Sequence, residues 1–379
     1  MNPLFGHHRV VAALSGGVDS GVAALRLLEH DVDVVGLTLQ LRADPDLPSV
    51  PTPEAIERAR AVARRLGIPF QLVDARDAFQ REVVDYFVAE YAAGRTPNPC
   101  VVCNRFVRFG LLIEKAQELQ FGLLATGHYA RVRRVDGEYQ LLRGVDPNKD
   151  QSYFLHALTQ DQLARTHFPL GELTKDDVRR IAARHELPVA DQEESQDVCF
   201  LAGGDYREFL AAHASQSLEP GPIRDIEGNL LGEHRGLAAY TIGQRKGLNV
   251  PGPEPLYVLA LDPGENTLIV GPADQLGRDR CRVTNLHFVQ GTLPQESFRA
   301  EAQIRYRAKP TKVTVRPRPG SRAEVRFDRA QRDITPGQFL VLYRGELVLG
   351  GGIIASGQPG QLASGDPTAK GSTKEQLGR

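Results

Sequence analysis

Two hydrophobic periods alternate through the first half of the chain, and only one survives in the second. Short apolar runs at Val10–Leu14, Val32–Leu39, Phe70–Val73 and Leu123–Thr126 read as buried strands. Between and after them, apolar residues recur at helical spacing over Val18–Glu29, Pro53–Leu66, Ala75–Ala93, Phe106–Leu119 and Lys175–His185. This alternation predicts an α/β fold with a Rossmann-like parallel sheet covered on both faces. Arg131–Leu142 interrupts it as a hairpin that turns at Asp136-Gly137. After about residue 205 the helical period fades. Tyr257–Leu261, Leu268–Val270, Val283–Phe288, Ala300–Ile304, Lys312–Val315, Ala323–Phe327, Phe339–Tyr343 and Leu347–Ala355 follow as short strands punctuated by Gly and Pro. They predict two small β-rich or β-barrel domains. The expected boundaries are 1–205, 206–281 and 282–356, followed by a disordered tail, 357–379, without apolar periodicity.

The first strand breaks into Ser15-Gly16-Gly17 and restarts as a helix at Val18-Asp19-Ser20. The glycines let the backbone approach a ligand closely, and the helix start offers unpaired N–H donors and a positive dipole end. Ser15 and Ser20 add hydroxyls. A phosphate group suits such a loop, and ATP pyrophosphate is the expected ligand. Asp19 repels phosphate unless a divalent cation intervenes, so Mg²⁺ is expected with the nucleotide. The common P-loop does not fit, because no lysine follows the glycines.

Length and charge narrow the setting. At 379 residues the chain holds two or three domains, and its apolar runs are too short to span a membrane. A cytoplasmic enzyme is expected. The net charge of −1 hides a strip from Arg299 to Arg332 with eleven Lys or Arg against three Asp or Glu. Such a strip suits a phosphate backbone, although a solvated β surface explains it equally well.

Four cysteines are too few for a disulfide scaffold at this length, which leaves metal binding or catalysis for most of them. Cys100 and Cys103 stand in Thr96-Pro97-Asn98-Pro99-Cys100-Val101-Val102-Cys103-Asn104-Arg105, where the prolines predict an open loop ahead of a helix near Phe106. A helix N-terminus and Arg105 would lower the pKa of Cys103. A zinc knuckle needs a fourth ligand that the sequence does not offer. Cys199 lies in the polar run Asp191–Phe200, expected to be an exposed loop, so its thiol is read as reactive. Cys281 is read as structural.

Ser15–Ser20 resembles the PP-loop of the ATP pyrophosphatase superfamily. With Thr96–Pro99, Cys103-Asn104, Thr126-Gly127-His128-Tyr129, Lys149-Asp150-Gln151-Ser152-Tyr153-Phe154, Ser195-Gln196-Asp197-Val198-Cys199-Phe200, Thr241–Arg245 and Arg305-Tyr306-Arg307, the resemblance narrows to the tRNA-specific 2-thiouridylase family. It covers residues from about 9 to 356. It implies ATP-dependent replacement of the wobble uridine O2 by sulfur in tRNAs for Lys, Glu and Gln. It further implies that Cys199 carries a persulfide and that Cys103 is a nucleophile able to form a disulfide with it. Ala13, Leu14, Ser15, Gly16, Gly17, Val18, Asp19, Ser20, Leu39 and Gly127 match ATP-contact positions. Asn98, Pro99 and Cys100 match target-base positions, and His128, Lys149, Asp150, Gln151, Arg305, Tyr306 and Gln338 match tRNA contacts. A cysteine desulfurase or a sulfur-relay protein is the implied sulfur donor.

Two departures from the pattern stand out. Leu39 replaces a frequent Met, and Cys100 replaces an Asp. The second leaves two routes open: a persulfide with Cys100 as an auxiliary thiol, or an iron-sulfur cluster on Cys100, Cys103 and Cys199. Two other functions remain as alternatives. A small-molecule PP-loop ligase needs neither the cysteines nor the basic strip, and a non-catalytic tRNA-binding module does not need Ser15–Ser20.

Overall fold

The computed structural model describes residues 9–30, 32–44, 47–190, 192, 198–201, 204–213, 218–251, 254–292 and 294–355. The expected disordered tail, and most of the polar run ahead of Cys199, lie outside these residues.

Five parallel strands form the N-terminal sheet in the spatial order Phe70–Asp74, Asp33–Gln40, Arg9–Ala13, Leu123–Ala125 and Thr166–His167. Val10 and Val11 on the central strand are fully buried on opposite faces, as a sheet covered by helices on both sides requires. The chain builds outward from Arg9–Ala13 in one direction, then returns to its other side with Leu123–Ala125. That reversal opens a crevice at the carboxyl ends of these two strands, the usual ligand position in such sheets. Ser15 and Thr126 both follow those ends.

Helix Pro53–Leu66 spans the residues the apolar period predicts, with Thr52 capping its start and Gly67 in the left-handed region at its end. The helix expected from Phe106 instead begins at Pro99 and continues to residue 118. Pro99 sits in the first turn, where its missing N–H is no loss, and the Asn98 side chain accepts a hydrogen bond from Cys100 N at 3.2 Å. Its middle, Cys103–Leu111, winds as a π-helix. Such turns are rare and often mark functional sites.

A four-stranded sheet follows in the order Leu230–His234, Gly221–Arg224, Thr267–Gly271 and Tyr257–Asp262. Beyond it, Arg278–Phe288, Arg322–Gln331, Thr311–Arg318, Phe298–Gln303, Phe339–Arg344 and Leu347–Ile354 form an antiparallel barrel, closed where Val283 pairs with Ile354. Cys281 lies in the barrel core with Val325 and Phe327, where burial pushes its thiol up to about 12; it is a packing residue.

The hairpin Ala130–Val135 and Glu138–Arg143 turns at Asp136 (φ 50°) and Gly137 (φ 90°), the mirror-image geometry that Asp-Gly favours. Its second strand pairs with the barrel strand Leu347–Ile354 through Leu142 and Leu347. Val11, Phe109 and Leu124 share one apolar core with Phe339, Val341 and Tyr343. The sheet and the barrel are thus fused rather than tethered. Among the described residues no helix is long and apolar enough to cross a membrane.

Candidate active site

The loop after the first strand is held by its own side chains. Ser20 Oγ accepts from Ser15 N at 3.1 Å and donates to Gly17 O at 2.9 Å, while Thr38 Oγ1 donates to Leu14 O at 2.6 Å. Arg58 Nε donates to Gly16 O at 3.1 Å. Gly16 has φ +79°, and a Cβ there would lie 2.2 Å from Ala55 O. Gly17 caps helix Val18–Leu28 with no side-chain hydrogen bond, leaving the first-turn N–H groups without a side-chain acceptor. Gly127 packs on this turn so closely that a Cβ would sit 2.8 Å from Asp19 C and Ser20 N. Ala13 and Leu39 are half-buried beside the first core, and Leu14 and Val18 are buried beneath the loop.

The charge on Asp19 is balanced within the chain. Lys175 Nζ donates to Asp19 Oδ1 at 2.6 Å, and the Tyr129 hydroxyl donates to the same oxygen at 2.7 Å. The sequence expectation that a divalent cation must offset Asp19 overlooked this lysine. The two residues are 156 positions apart. The available signal was a lysine at the first position of a helix, where acids are the favoured charge.

Cys103 joins the loop to Cys199 through one core. Cys103, Val107, Phe79, Phe87, Phe209 and Phe200 pack together, and Phe200 meets Phe79, Phe87 and Phe209 with ring centroids 5.8, 5.2 and 5.3 Å apart. Arg42, itself buried, donates to Phe200 O at 3.0 Å. Phe200 thus anchors its neighbour Cys199, which keeps an exposed surface. All four cysteines are free thiols.

Cys103 is not the lowered thiol that the sequence suggested, and its neighbours are raised with it. Burial pushes Cys103 up to about 11, against the charge and hydrogen bond of Arg108. Burial, with the neighbouring Cys199 and Cys103, pushes Cys100 up to about 12, and desolvation by the atoms around its sulfur raises Cys199 too, although the residue keeps an exposed surface. Arg105, expected to favour the thiolate, instead lies over the Phe106 ring at 5.1 Å. Arg108 is the guanidinium that acts on all three thiols. Among the described residues no three His, Cys, Asp or Glu side chains come together as a metal-binding group. Cys100, Cys103 and Cys199 nevertheless lie near enough to act on one another, with Arg108 beside them.

His128 bridges the two halves of the site. It follows Gly127, its Nδ1 lies 2.8 Å from Thr126 Oγ1, and its ring packs on Phe109 at 5.6 Å and Phe168 at 6.1 Å. Burial first, and then the charge of Arg108, lower its pKa to about 3, so it stays neutral. Asp150 is also buried. Its carboxylate accepts from Arg143, Gly144 N, Ser152 N and Ser152 Oγ at 2.8–3.1 Å. Gln151 Oε1 accepts from Tyr129 N at 3.0 Å, and Lys149 occupies the turn between.

Loop 95–98 is gripped from both later domains. Gln338 Nε2 donates to Thr96 O at 2.9 Å and Pro97 O at 3.2 Å, Thr96 N donates to Pro336 O at 2.9 Å, and Thr96 Oγ1 lies 3.2 Å from Thr241 Oγ1. Asn98 hydrogen-bonds Tyr153. Arg305, read from sequence as part of the basic strip, turns its guanidinium inward to Asp333 O at 3.1 Å and to Thr335 Oγ1. Tyr306 packs on Phe154 with centroids 4.3 Å apart. The outward-facing part of the strip includes Lys309, Lys312, Arg316, Arg322, Arg326, Arg329 and Arg332, while Arg299 pairs with Asp328 and Arg318 with Glu324.

A Ser-Gly-Gly loop at a sheet crevice, three thiols sharing one guanidinium and two β domains gripping the loop ahead of Cys100 are the marks of an ATP-using PP-loop enzyme. Family models agree: residues 8–203 match the tRNA methyl transferase HUP domain, 207–272 the tRNA methyl transferase PRC-barrel domain and 278–354 the aminomethyltransferase beta-barrel domain. The chain is 49% identical over 351 residues to a tRNA-specific 2-thiouridylase MnmA of Chloroflexus aurantiacus, covering 91% of this chain and 98% of the relative. It is 48% identical over 355 residues to one of Moorella thermoacetica, covering 91% and 99%. The chain belongs to the tRNA-specific 2-thiouridylase family, a family of tRNA sulfurtransferases within the PP-loop superfamily. Among solved structures, NMN synthetase from Francisella tularensis is 17% identical over 56% of this chain and 79% of that one, with a TM-score of 0.33, a likeness that carries no weight here.

Proposed function

We propose that this protein installs sulfur at C2 of the wobble uridine in tRNAs for Lys, Glu and Gln, in the cytoplasm, by adenylating O2 and then displacing AMP. The observation that carries this reading is an unbroken run of contacts. The Ser15–Ser20 loop touches Gly127, His128 follows it and feels the charge of Arg108, the same guanidinium acts on Cys103, and Cys103 shares a core with the residue next to Cys199.

Uridine O2 is a poor leaving group, and attachment to AMP makes it a good one. Ser15, Gly16, Gly17, Val18, Asp19 and Ser20 would hold the phosphates of ATP, with Ala13, Leu14, Leu39 and Gly127 around the rest of the nucleotide. The oxygen donors at Asp19 and the loop hydroxyls suit Mg²⁺ carried with ATP, which would shield the phosphate charge. A cysteine desulfurase or sulfur-relay protein would leave a sulfane sulfur on Cys199. Its terminal sulfur bonds to C2 and AMP departs with O2. Cys103 then attacks Cys199 Sγ, the persulfide S–S bond breaks toward the uridine sulfur, and a Cys103–Cys199 disulfide remains for an external thiol to reduce. Arg108 is placed to stabilise the Cys103 thiolate that burial disfavours.

Asn98, Pro99 and Cys100 would meet the base, which must leave the anticodon stack to be reached. Lys149, Gln151 and Tyr306 would contact RNA nearby, while His128, Asp150, Arg305 and Gln338 would shape that surface from within. Replacing Gln338 by Ala is expected to slow thiolation about tenfold with less than twofold change in tRNA affinity, since one donor to the loop is lost. Single-turnover thiolation beside filter binding would show it, and an affinity loss matching the rate loss would make Gln338 a direct RNA contact.

The deciding experiment is anaerobic incubation of the protein with ATP, Mg²⁺, a cysteine desulfurase and cysteine as sulfane-sulfur source, a thiol reductant and unmodified glutamate tRNA, followed by mass spectrometry of the nucleosides and measurement of pyrophosphate. Formation of 2-thiouridine supports the reading. Pyrophosphate release without tRNA would point to a small-molecule PP-loop enzyme. Stoichiometric iron and labile sulfide, lost in Cys100→Ala, would replace the persulfide route with a cluster.

A further inference from the structure

Lys175 is buried, and its ammonium reaches into the loop to meet Asp19. Lysines are seldom buried without a partner or a task, and here the partner is itself suited to leave. Asp19 stands in the first turn of the loop helix, where the dipole already favours a carboxylate. Two donors nevertheless converge on its Oδ1: Lys175 Nζ at 2.6 Å and the Tyr129 hydroxyl at 2.7 Å.

Both donors are braced from behind. Lys175 N donates to Asp146 Oδ2 at 3.0 Å at the start of a helix closed by a Thr174–Asp177 capping box. Tyr129 exchanges hydrogen bonds with Gln151, its N donating to Oε1 at 3.0 Å and its O accepting from Gln151 N at 2.9 Å. The backbone of Lys175 is thereby fixed, and its four-carbon stem gives Nζ the reach to meet a ligand seated in the loop beside Asp19.

We propose that Lys175 is a nucleotide-site residue that holds Asp19 Oδ1 while the loop is empty and donates to the pyrophosphate end of Mg·ATP once Asp19 faces the metal. The inference rests on the ATP reading of the loop and adds a cation that the Ser-Gly-Gly sequence itself lacks. As the bond from uridine O2 to the α-phosphorus forms, the bond from that phosphorus to the bridging oxygen breaks and its electron pair stays on pyrophosphate. Lys175 remains protonated and meets this new charge, and the uridine N3 proton passes to solvent. Tyr129 keeps its bond to Asp19 through the exchange and so holds the carboxylate in place.

The test uses the full chain and calorimetric titration with a non-hydrolysable ATP analogue plus Mg²⁺, and separately with AMP, for the wild type, Lys175→Ala, Lys175→Arg and Tyr129→Phe. Lys175→Ala is expected to weaken the analogue at least about tenfold and AMP less than twofold, because AMP lacks the phosphates the ammonium would meet. Single-turnover pyrophosphate release should fall about 10²–10³-fold, the range for losing one donor to developing charge. Lys175→Arg should recover part of both, and it keeps the test decisive if the alanine variant fails to fold. Equal losses for analogue and AMP, or a lowered melting temperature with analogue affinity unchanged, would overturn the proposal. A wild type that binds no analogue would overturn the ATP reading itself, and this inference with it.

Discussion

Serine at position 199 is expected to stop sulfur transfer and spare adenylation. The hydroxyl matches the thiol in size, and the Cys199 segment is held by Phe200 in its aromatic nest and by Arg42 on the Phe200 carbonyl, neither of which the change touches. Folding and the ATP loop should therefore be unaffected. A hydroxyl cannot carry a sulfane sulfur, so thiolation should fall at least about 10³-fold, or about 4 kcal/mol of transition-state stabilisation. Pyrophosphate release and thiolated nucleoside, measured in the same reaction, separate the two steps. Thiolation within tenfold of wild type in Cys199→Ser would remove Cys199 from the sulfur path.

Alanine at Gly16 should damage nucleotide binding and fold together. The positive φ of +79° costs an L-residue about 1–2 kcal/mol. The added methyl would lie 2.2 Å from the carbonyl oxygen of Ala55, which is backbone and gives way only if helix Pro53–Leu66 shifts. Overpacking of that kind adds about 1–3 kcal/mol. The sum, about 2–5 kcal/mol, should appear as a lowered denaturation midpoint and at least about thirtyfold weaker ATP binding. Gly17→Ala is the control. A Cβ there has Ser15 Oγ as its nearest neighbour at 3.6 Å, ordinary contact, and φ is −102°. Equal damage from both substitutions would mean that the loop tolerates no side chain for reasons other than the Ala55 contact.

The central strands of the N-terminal sheet, Arg9–Ala13, Asp33–Gln40 and Leu123–Ala125, were legible because they are buried and read as apolar runs, while Thr166–His167, two residues long, left no pattern to see. The Gly16 turn and the Asp136-Gly137 hairpin were legible for another reason: each needs a backbone conformation that few residues adopt. Pro97 and Pro99 misled, because a proline breaks a helix in its interior yet suits its first turn, and only the Asn98 cap tells these apart. Lys175 and Arg108 were missed because their work depends on which side chains they meet in space. The thiol pKa values moved opposite to expectation for the same reason: burial is set by packing of the Phe200 core around Cys103, which no local charge count anticipates.

The shared edge between hairpin and barrel has a consequence for biosynthesis. Leu142 pairs with Leu347, and Arg143 N donates to Glu346 O at 2.9 Å, so the hairpin's outer strand meets its neighbour about two hundred residues after it leaves the ribosome. At roughly 5–20 residues per second, the nascent chain carries that edge uncovered for about 10–40 s. An open strand edge invites pairing with other chains, and charged side chains are the usual defence. Glu138 and Arg143, at the two ends of the strand that carries this edge, are the charges placed on it until the barrel arrives to close over it.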